Sequence, residues 1–234
     1  MRHGQRIGVV IPALDEERAI GRVLADIPDW VDTIVVADNG SRDKTAAVAK
    51  SAGATVISEP ERGYGAACQS GIKALGPVDI VVFLDGDYSD HPGEMAALVD
   101  PIIAGEAALV IGSRVRGDLR PGALTPQQRF GNWLACRLIK TLWGVTYSDL
   151  GPFRAIRATA LHSLGMRDRN YGWTVEMQIK ASQHGLPSLE VPVSYRPRIG
   201  VSKVSGTLKG TVMAGIVILT VIARAAMAPK RAVG

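Results

Sequence analysis

Asp79-Ile80-Val81-Val82-Phe83-Leu84-Asp85-Gly86-Asp87 decides how the rest of the chain is read. An unbroken apolar run with turn residues at its ends reads as a short strand covered on both faces. Two acids follow it at once. Similar runs recur at Ile7–Ile11, Thr33–Ala37, Ala54–Ser58 and Leu109–Gly112, each short and rich in Val or Ile. Between them the apolar period changes to that of a helix. Ala19, Ile20, Val23, Leu24 and Ile27 share one face, and so do Met95, Leu98, Val99, Ile102 and Ile103 behind the helix-starting Pro92. Strands alternating with helices predict an α/β fold with a mostly parallel central sheet covered on both faces.

The second half has another character. Residues 116–128 are rich in Gly, Pro and Arg and read as a long loop. A helix is expected from Pro126 to Trp143, with Phe130, Trp133, Leu134, Leu138 and Leu142 on one face, and another over Thr174–Gln183. Ser188–Tyr195 alternates like an edge strand, a position that Pro192 supports. Thr211–Ala223 carries no charge but is too short for a bilayer, which needs about 20 residues. A surface-lying or buried apolar C-terminal helix remains. The expected organisation is one domain over 1–205, with a first half (1–115) of alternating strands and helices and a second half (116–205), then an apolar helix and basic tail over 206–234.

Parallel sheets of this kind bind ligands at the carboxyl ends of their strands. Acids stand there after Ile11, Ala37 and Leu84. On an extended chain, Asp85 and Asp87 point to the same side. Two carboxylates so placed form a hard-oxygen site for Mg²⁺ or Mn²⁺, which fills its shell with water and substrate phosphates. The structural alternative is a solvated Asp-Gly turn, and the neighbouring acidic strand ends weigh against it. After the first strand comes Pro12-Ala13-Leu14-Asp15-Glu16-Glu17, where a dinucleotide fold would carry glycines. This loop would repel phosphates. Glu16 and Asp38 suit hydrogen bonds from a base or ribose instead, and the acids also favour a helix N-terminus. Asp38 opens a tight turn into a helix capped by Ser41 or Asp43. Gly63-Tyr64-Gly65 permits a close backbone approach, but a lone Gly-x-Gly is a poor phosphate signature. Asp149 and Glu176 are spare acids, each either a general base or a structural partner.

The net charge is +5. It is spread along the chain and suits an anionic small molecule or membrane surface. With no basic block interleaved with aromatics, nucleic acid ranks last as a partner. Cys68 and Cys136 read as buried, reduced thiols of a cytoplasmic protein.

VVIPALDEE, VVADNGSRDKT, ERGYGAA, FLDGDYSDHP, GSR, SDLGPFRAIR and RIGVSK, in this order, resemble the family-two glycosyltransferases of the GT-A fold. The chain is most similar to polyprenyl-phosphate sugar synthases of the dolichyl-phosphate mannose synthase type. The resemblance implies that Pro12, Leu14, Glu16 and Asp38 hold the nucleoside of a GDP- or UDP-linked sugar. It implies that Asp85, Asp87 and Ser89 surround the metal, with Gly86 and Asp149 also in the substrate site. Arg114, Arg129, Arg198, Ser202 and Lys203 would bind donor or acceptor phosphates. Asp15 stands for the usual Asn, Leu14 for an often aromatic residue, Asn39 for a frequent second Asp and Ser89 for a common Gln. The implied reaction is inverting transfer to a polyprenyl phosphate at the cytoplasmic membrane surface, with a homo-oligomer left open. The rival readings are a soluble glycosyltransferase with a hydroxyl acceptor, a sugar-phosphate nucleotidyltransferase and a non-catalytic nucleotide-sugar-binding module.

Overall fold

The computed structural model describes residues 1–201 and the helix 208–227. Strands β1 (Ile7–Ala13), β2 (Thr33–Asp38), β3 (Thr55–Ser58) and β4 (Ile80–Phe83) pair in parallel, with β1 between β2 and β4. The sheet continues through β6 (Arg154–Arg157) and β5 (Leu109–Ser113) to β7 (Ser188–Pro192), in the order β3-β2-β1-β4-β6-β5-β7. β6 runs antiparallel to both β4 and β5, while β7 is parallel to β5 at the sheet edge. The sheet is therefore mostly parallel, and Pro192 lies on an edge strand as expected.

The alternation of β1 shows why its residues are apolar throughout. Ile7, Val9 and Ile11 join one core with α1 (Ile20–Ala25) and α4 (Met95–Ile103). Val10 enters the opposite core with α3 (Tyr64–Ala74), α5 (Pro126–Trp143), α6 (Ala158–Leu164) and α7 (Trp173–Gln183). Successive side chains of a strand face opposite ways, so a strand covered on both sides needs no polar residue. Cys68 and Cys136 are buried and not joined to each other.

The structure decides between the two expected caps and divides one expected helix face. The helix α2 (Thr45–Ser51) takes its first N–H bond from Asp43, whose carboxylate accepts the Thr45 N–H at 2.9 Å. Ser41 is used elsewhere, its hydroxyl accepting the Asp15 N–H at 2.9 Å. The apolar face of α5 is divided between core and solvent. Ala135, Cys136 and Ile139 are its buried residues, whereas Phe130 is 61% and Trp133 58% exposed. Leu138 of the expected face packs against the core, while Phe130, Trp133 and Leu142 stand in solvent.

The last described helix, α8 (Leu208–Met227), packs on α5 and α7. It buries Ile222 and exposes Val212, Met213, Ile216 and Leu219. No helix among the described residues is long and apolar enough to cross a membrane. Ser202 and Lys203, and the basic tail with Lys230 and Arg231, lie outside the described residues.

Candidate active site

The sheet order brings the carboxyl ends of β2, β1 and β4 side by side, so the acidic loops after them meet. A cleft of about 270 Å³ opens there. Pro12 lines it from the end of β1, Leu14 and Glu16 from the loop after that strand, and Asp85, Gly86 and Asp87 from the loop after β4. Arg198 reaches in from the segment after β7. Asp15, at φ +52, turns this loop in a backbone region that Asn and Asp tolerate. Its carboxylate accepts the Arg42 N–H at 2.7 Å, tying the first loop to the second.

Asp85 and Asp87 are not on a continued strand. The chain turns at Gly86-Asp87, and Tyr88 takes φ +64, costly for a bulky residue. Surrounding contacts hold it. The Tyr88 hydroxyl donates to Asp26 at 2.7 Å, Arg196 stacks 3.4 Å above its ring, and the Arg196 Nε donates to the Tyr88 carbonyl at 2.6 Å. Ser89 is fully buried, and its N–H and hydroxyl both donate to Asp87 Oδ1. It orients the carboxylate from behind and does not line the cleft.

Three carboxylates crowd this turn. Burial, and next the Asp87 charge, push Asp85 up to about 7. Burial, and next Asp85, raise Asp90 well above the usual carboxylate range. Asp85 Oδ1 and Asp90 Oδ1 are buried and have no hydrogen-bond partner among the described residues. Crowded anions with unused oxygens fit a divalent cation, which would compensate the charge that burial and repulsion disfavour. No group of three or more His, Cys, Asp or Glu side chains forms a complete metal cage among the described residues. One or two carboxylates sharing a metal with substrate phosphates is the usual magnesium arrangement.

The remaining residues divide clearly. Asp38 is buried beside the cleft, with the Ser41 N–H at 3.3 and 3.4 Å from its two oxygens. Arg114 and Asp149 form a bidentate pair, Nε to Oδ2 at 2.8 Å and Nη2 to Oδ1 at 2.7 Å. Glu176 accepts the N–H groups of Arg167 and Asp168 and pairs with Lys180 at 2.7 Å. Both spare acids are thus structural partners. Arg129 is exposed on the first turns of α5, away from the cleft lining.

Asn39, Arg62, Tyr64, Asn170 and Tyr171 also line the cleft, and sequence reasoning did not place them in the site. Asn39 organises the wall: its amide donates to the Glu59 and Glu61 carbonyls, and its oxygen accepts the Gly63 N–H at 2.8 Å. The close approach foreseen at Gly63 and Gly65 is made by the chain itself. A Cβ on Gly63 would overlap the Arg169 carbonyl, and one on Gly65 the Asp168 carbonyl. Arg169 also pairs with Glu61 at 2.6 Å. The 168–171 segment is thereby clamped to α3 and forms a cleft wall. Gly65→Ala is expected to force this segment outward and cost about 1–3 kcal/mol, as overpacking does. Urea unfolding measures it, and unchanged stability would show that the clamp yields freely.

The family model described as glycosyl transferase family 2 matches residues 8–165, which include β2, β3, β4, all of β1 but its first residue, and the acidic turn. The chain belongs to glycosyl transferase family 2. This glycosyltransferase is 38% identical over 214 residues to an uncharacterized glycosyltransferase of Mycobacterium tuberculosis, covering 90% of this chain and 95% of that protein. It is 34% identical over 203 residues to a dolichyl-phosphate hexose transferase of Haloferax volcanii, covering 84% and 86%. Its fold is similar to glucosyl-3-phosphoglycerate synthase of Mycobacterium tuberculosis, crystallised with Mn²⁺, UDP-glucose and phosphoglyceric acid. That likeness has a TM-score of 0.77 at 27% identity, over 97% of this chain and 81% of the other. The GT-A-like architecture expected from the sequence is confirmed by that likeness.

Proposed function

We propose that this glycosyltransferase moves a sugar from a GDP- or UDP-linked donor to a polyprenyl phosphate, with inversion and with Mg²⁺ or Mn²⁺ held by Asp85 and Asp87. The observation that carries the acceptor is the engagement of Asp149 and Glu176 in internal bonds. A hydroxyl acceptor needs a base to take its proton. A phosphate monoester has a second pKa near about 6 and arrives largely dianionic. Its oxygen attacks the anomeric carbon directly, and the nucleoside diphosphate leaves from the opposite face. A divalent cation at the acidic turn would neutralise the leaving diphosphate. Pro12, Leu14, Glu16 and Asp38 hold the nucleoside in this proposal, Gly86 lets the backbone face the donor, and Ser89 fixes Asp87. Arg198 meets the donor diphosphate, and Arg129, Ser202 and Lys203 are assigned to donor or acceptor phosphates, the last two from outside the described residues. Arg114, pinned by Asp149, shapes that side of the site. The similarity to the dolichyl-phosphate hexose transferase supports the lipid acceptor.

The second reading is a small phosphorylated hydroxyl acceptor, favoured by the likeness to the enzyme crystallised with phosphoglyceric acid. Incubating the protein with GDP- and UDP-sugars and Mn²⁺, and measuring released nucleotide, separates the two. Release stimulated by polyprenyl phosphate supports the proposal. Release stimulated by phosphoglyceric acid alone overturns its acceptor.

A lipid acceptor places the protein at the cytoplasmic membrane surface. Two packed helices support this with apolar side chains in solvent: Phe130 and Trp133 on α5, Met213 and Ile216 on α8. Arg129, Arg137 and Lys140 on α5 are exposed as well. Each basic residue near an anionic leaflet contributes about 1 kcal/mol, and a buried large apolar side chain about 1.5–3 kcal/mol. The intact chain is expected to float with anionic liposomes at low salt. The exposed double variant Phe130→Ser/Trp133→Ser should bind at least about tenfold more weakly. An intact chain that stays in the soluble fraction at low salt would contradict the membrane assignment.

A further inference from the structure

The guanidinium of Arg198 stands on the proposed metal ligand. Its Nη2 lies 2.8 Å from Glu16 Oε1 and 3.1 Å from Asp87 Oδ2. Its Nε is buried and has no hydrogen-bond partner among the described residues. A planar fork built for paired contacts is here engaged from one end, and the other donor waits for an acceptor.

The backbone keeps the fork in place. Tyr195 bridges Asp90, the Arg196 N–H donates to the Ser89 carbonyl at 3.1 Å, and the Ile199 N–H donates to the Asp87 carbonyl at 2.9 Å. Segment 195–199 therefore runs along the acidic turn, and Arg198 is presented to the turn that carries Asp87. Gly200, at φ +92, ends this segment in a conformation that suits glycine.

We infer that Arg198 is the resident counter-charge of the acidic site, and that the donor enters as a divalent-cation complex of its diphosphate and not onto a metal already seated. The inference rests on the proposal that Asp85 and Asp87 hold the metal. A free divalent ion would find Asp87 Oδ2 already held by the guanidinium, with Asp85 left as its open carboxylate. The complex of that ion with a sugar-linked diphosphate brings two charges against two. Arg198 then exchanges Asp87 for phosphate oxygens, which suit its paired donors, including the unused Nε. Asp87, freed of the guanidinium, would then be available to hold the cation. No covalent bond changes. Metal and nucleotide are thus thermodynamically coupled, and each raises the affinity of the other by one factor.

Mn²⁺ binding to the full chain, followed by electron paramagnetic resonance with and without UDP or GDP, tests this without turnover. The wild type is expected to bind Mn²⁺ alone weakly, and the favoured nucleotide should tighten it by about 5–150-fold, the usual range of such coupling. Arg198→Met should bind Mn²⁺ alone about tenfold tighter and lose most of the nucleotide effect. Arg198→Lys, which keeps the charge, should stay near the wild type. Melting temperatures confirm folding, and Arg198→Gln serves if the Met variant is unstable. Equal or weaker Mn²⁺ binding in the neutral variants, with binding still lost in Asp87→Asn, overturns the role of Arg198 and leaves the metal site standing. Mn²⁺ binding indifferent to Asp87→Asn in every background overturns the metal site, and this inference with it.

Discussion

Replacing Asp87 with alanine is expected to lower sugar transfer by about a thousandfold or more. The carboxylate is nearly buried at 4% exposure, oriented by Ser89 and shared with Arg198. Metal stabilisation of a leaving diphosphate is worth several kcal/mol, and about 1.4 kcal/mol is a factor of ten in rate. The loss should fall on kcat, because the charge develops as the sugar–phosphate bond breaks. Circular dichroism should remain native, since the turn is also held by backbone bonds from Arg196 and Ile199. Asp87→Asn, which keeps the shape and removes the charge, should be nearly as inactive. A variant within tenfold of the wild type would remove Asp87 from the mechanism.

Asp149→Ala has the largest expected effect on stability, a loss of about 3–5 kcal/mol, as when one partner of a buried ion pair is removed. Asp149 is fully buried and accepts the backbone N–H, Nε and Nη2 of Arg114. Burial pulls the Arg114 guanidinium down, and the Asp149 charge and hydrogen bonds more than restore it. Without Asp149 that cation lies buried against the Tyr195 ring, 5.0 Å from its centroid. The double variant Asp149→Leu/Arg114→Met should recover much of the loss, because it removes both charges together. Urea unfolding of the three proteins measures this. A single variant within 1 kcal/mol of the wild type, on the order of an exposed pair, would show that solvent reaches Arg114.

The frame of the fold is legible because β1, β2 and β4 are central, and a strand covered on both faces shows its burial in composition. β6 is not. Its sequence Arg154-Ala155-Ile156-Arg157 has charges at both ends and reads as surface. Yet Arg154 is fully buried, its guanidinium satisfied by the Gly151, Leu150 and Thr174 carbonyls. Backbone acceptors can satisfy a buried cation, and single-chain patterning carries no sign of them. α3 was missed for the opposite reason. Gly65-Ala66-Ala67-Cys68 is made of small residues that allow close packing and give little apolar period. The exposure of Phe130 and Trp133 on α5 is not legible, because periodicity identifies an apolar stripe but does not say what covers it.

The candidate site follows the same division. Acids at strand ends announce themselves, since the fold fixes where strand ends meet. Asn170 and Tyr171 come to the cleft through the clamp of Gly63 and Gly65 on the 168–170 backbone, a contact across about a hundred residues of sequence. Nothing in the local sequence marks it. Arg198 was legible as a basic residue near phosphate, but its seat on Asp87 emerges only when the segment after β7 is laid along the turn after β4.

Transfer of labelled sugar from GDP- and UDP-linked donors into an organic-extractable polyprenyl phosphate product, measured with Mn²⁺ or Mg²⁺ and again in excess chelator, tests the central claim most directly. The predicted result is a lipid-phosphate sugar of inverted anomeric configuration that forms with one donor and vanishes with chelator. Product that forms equally well in chelator, or sugar that passes only to a hydroxyl acceptor, would contradict it.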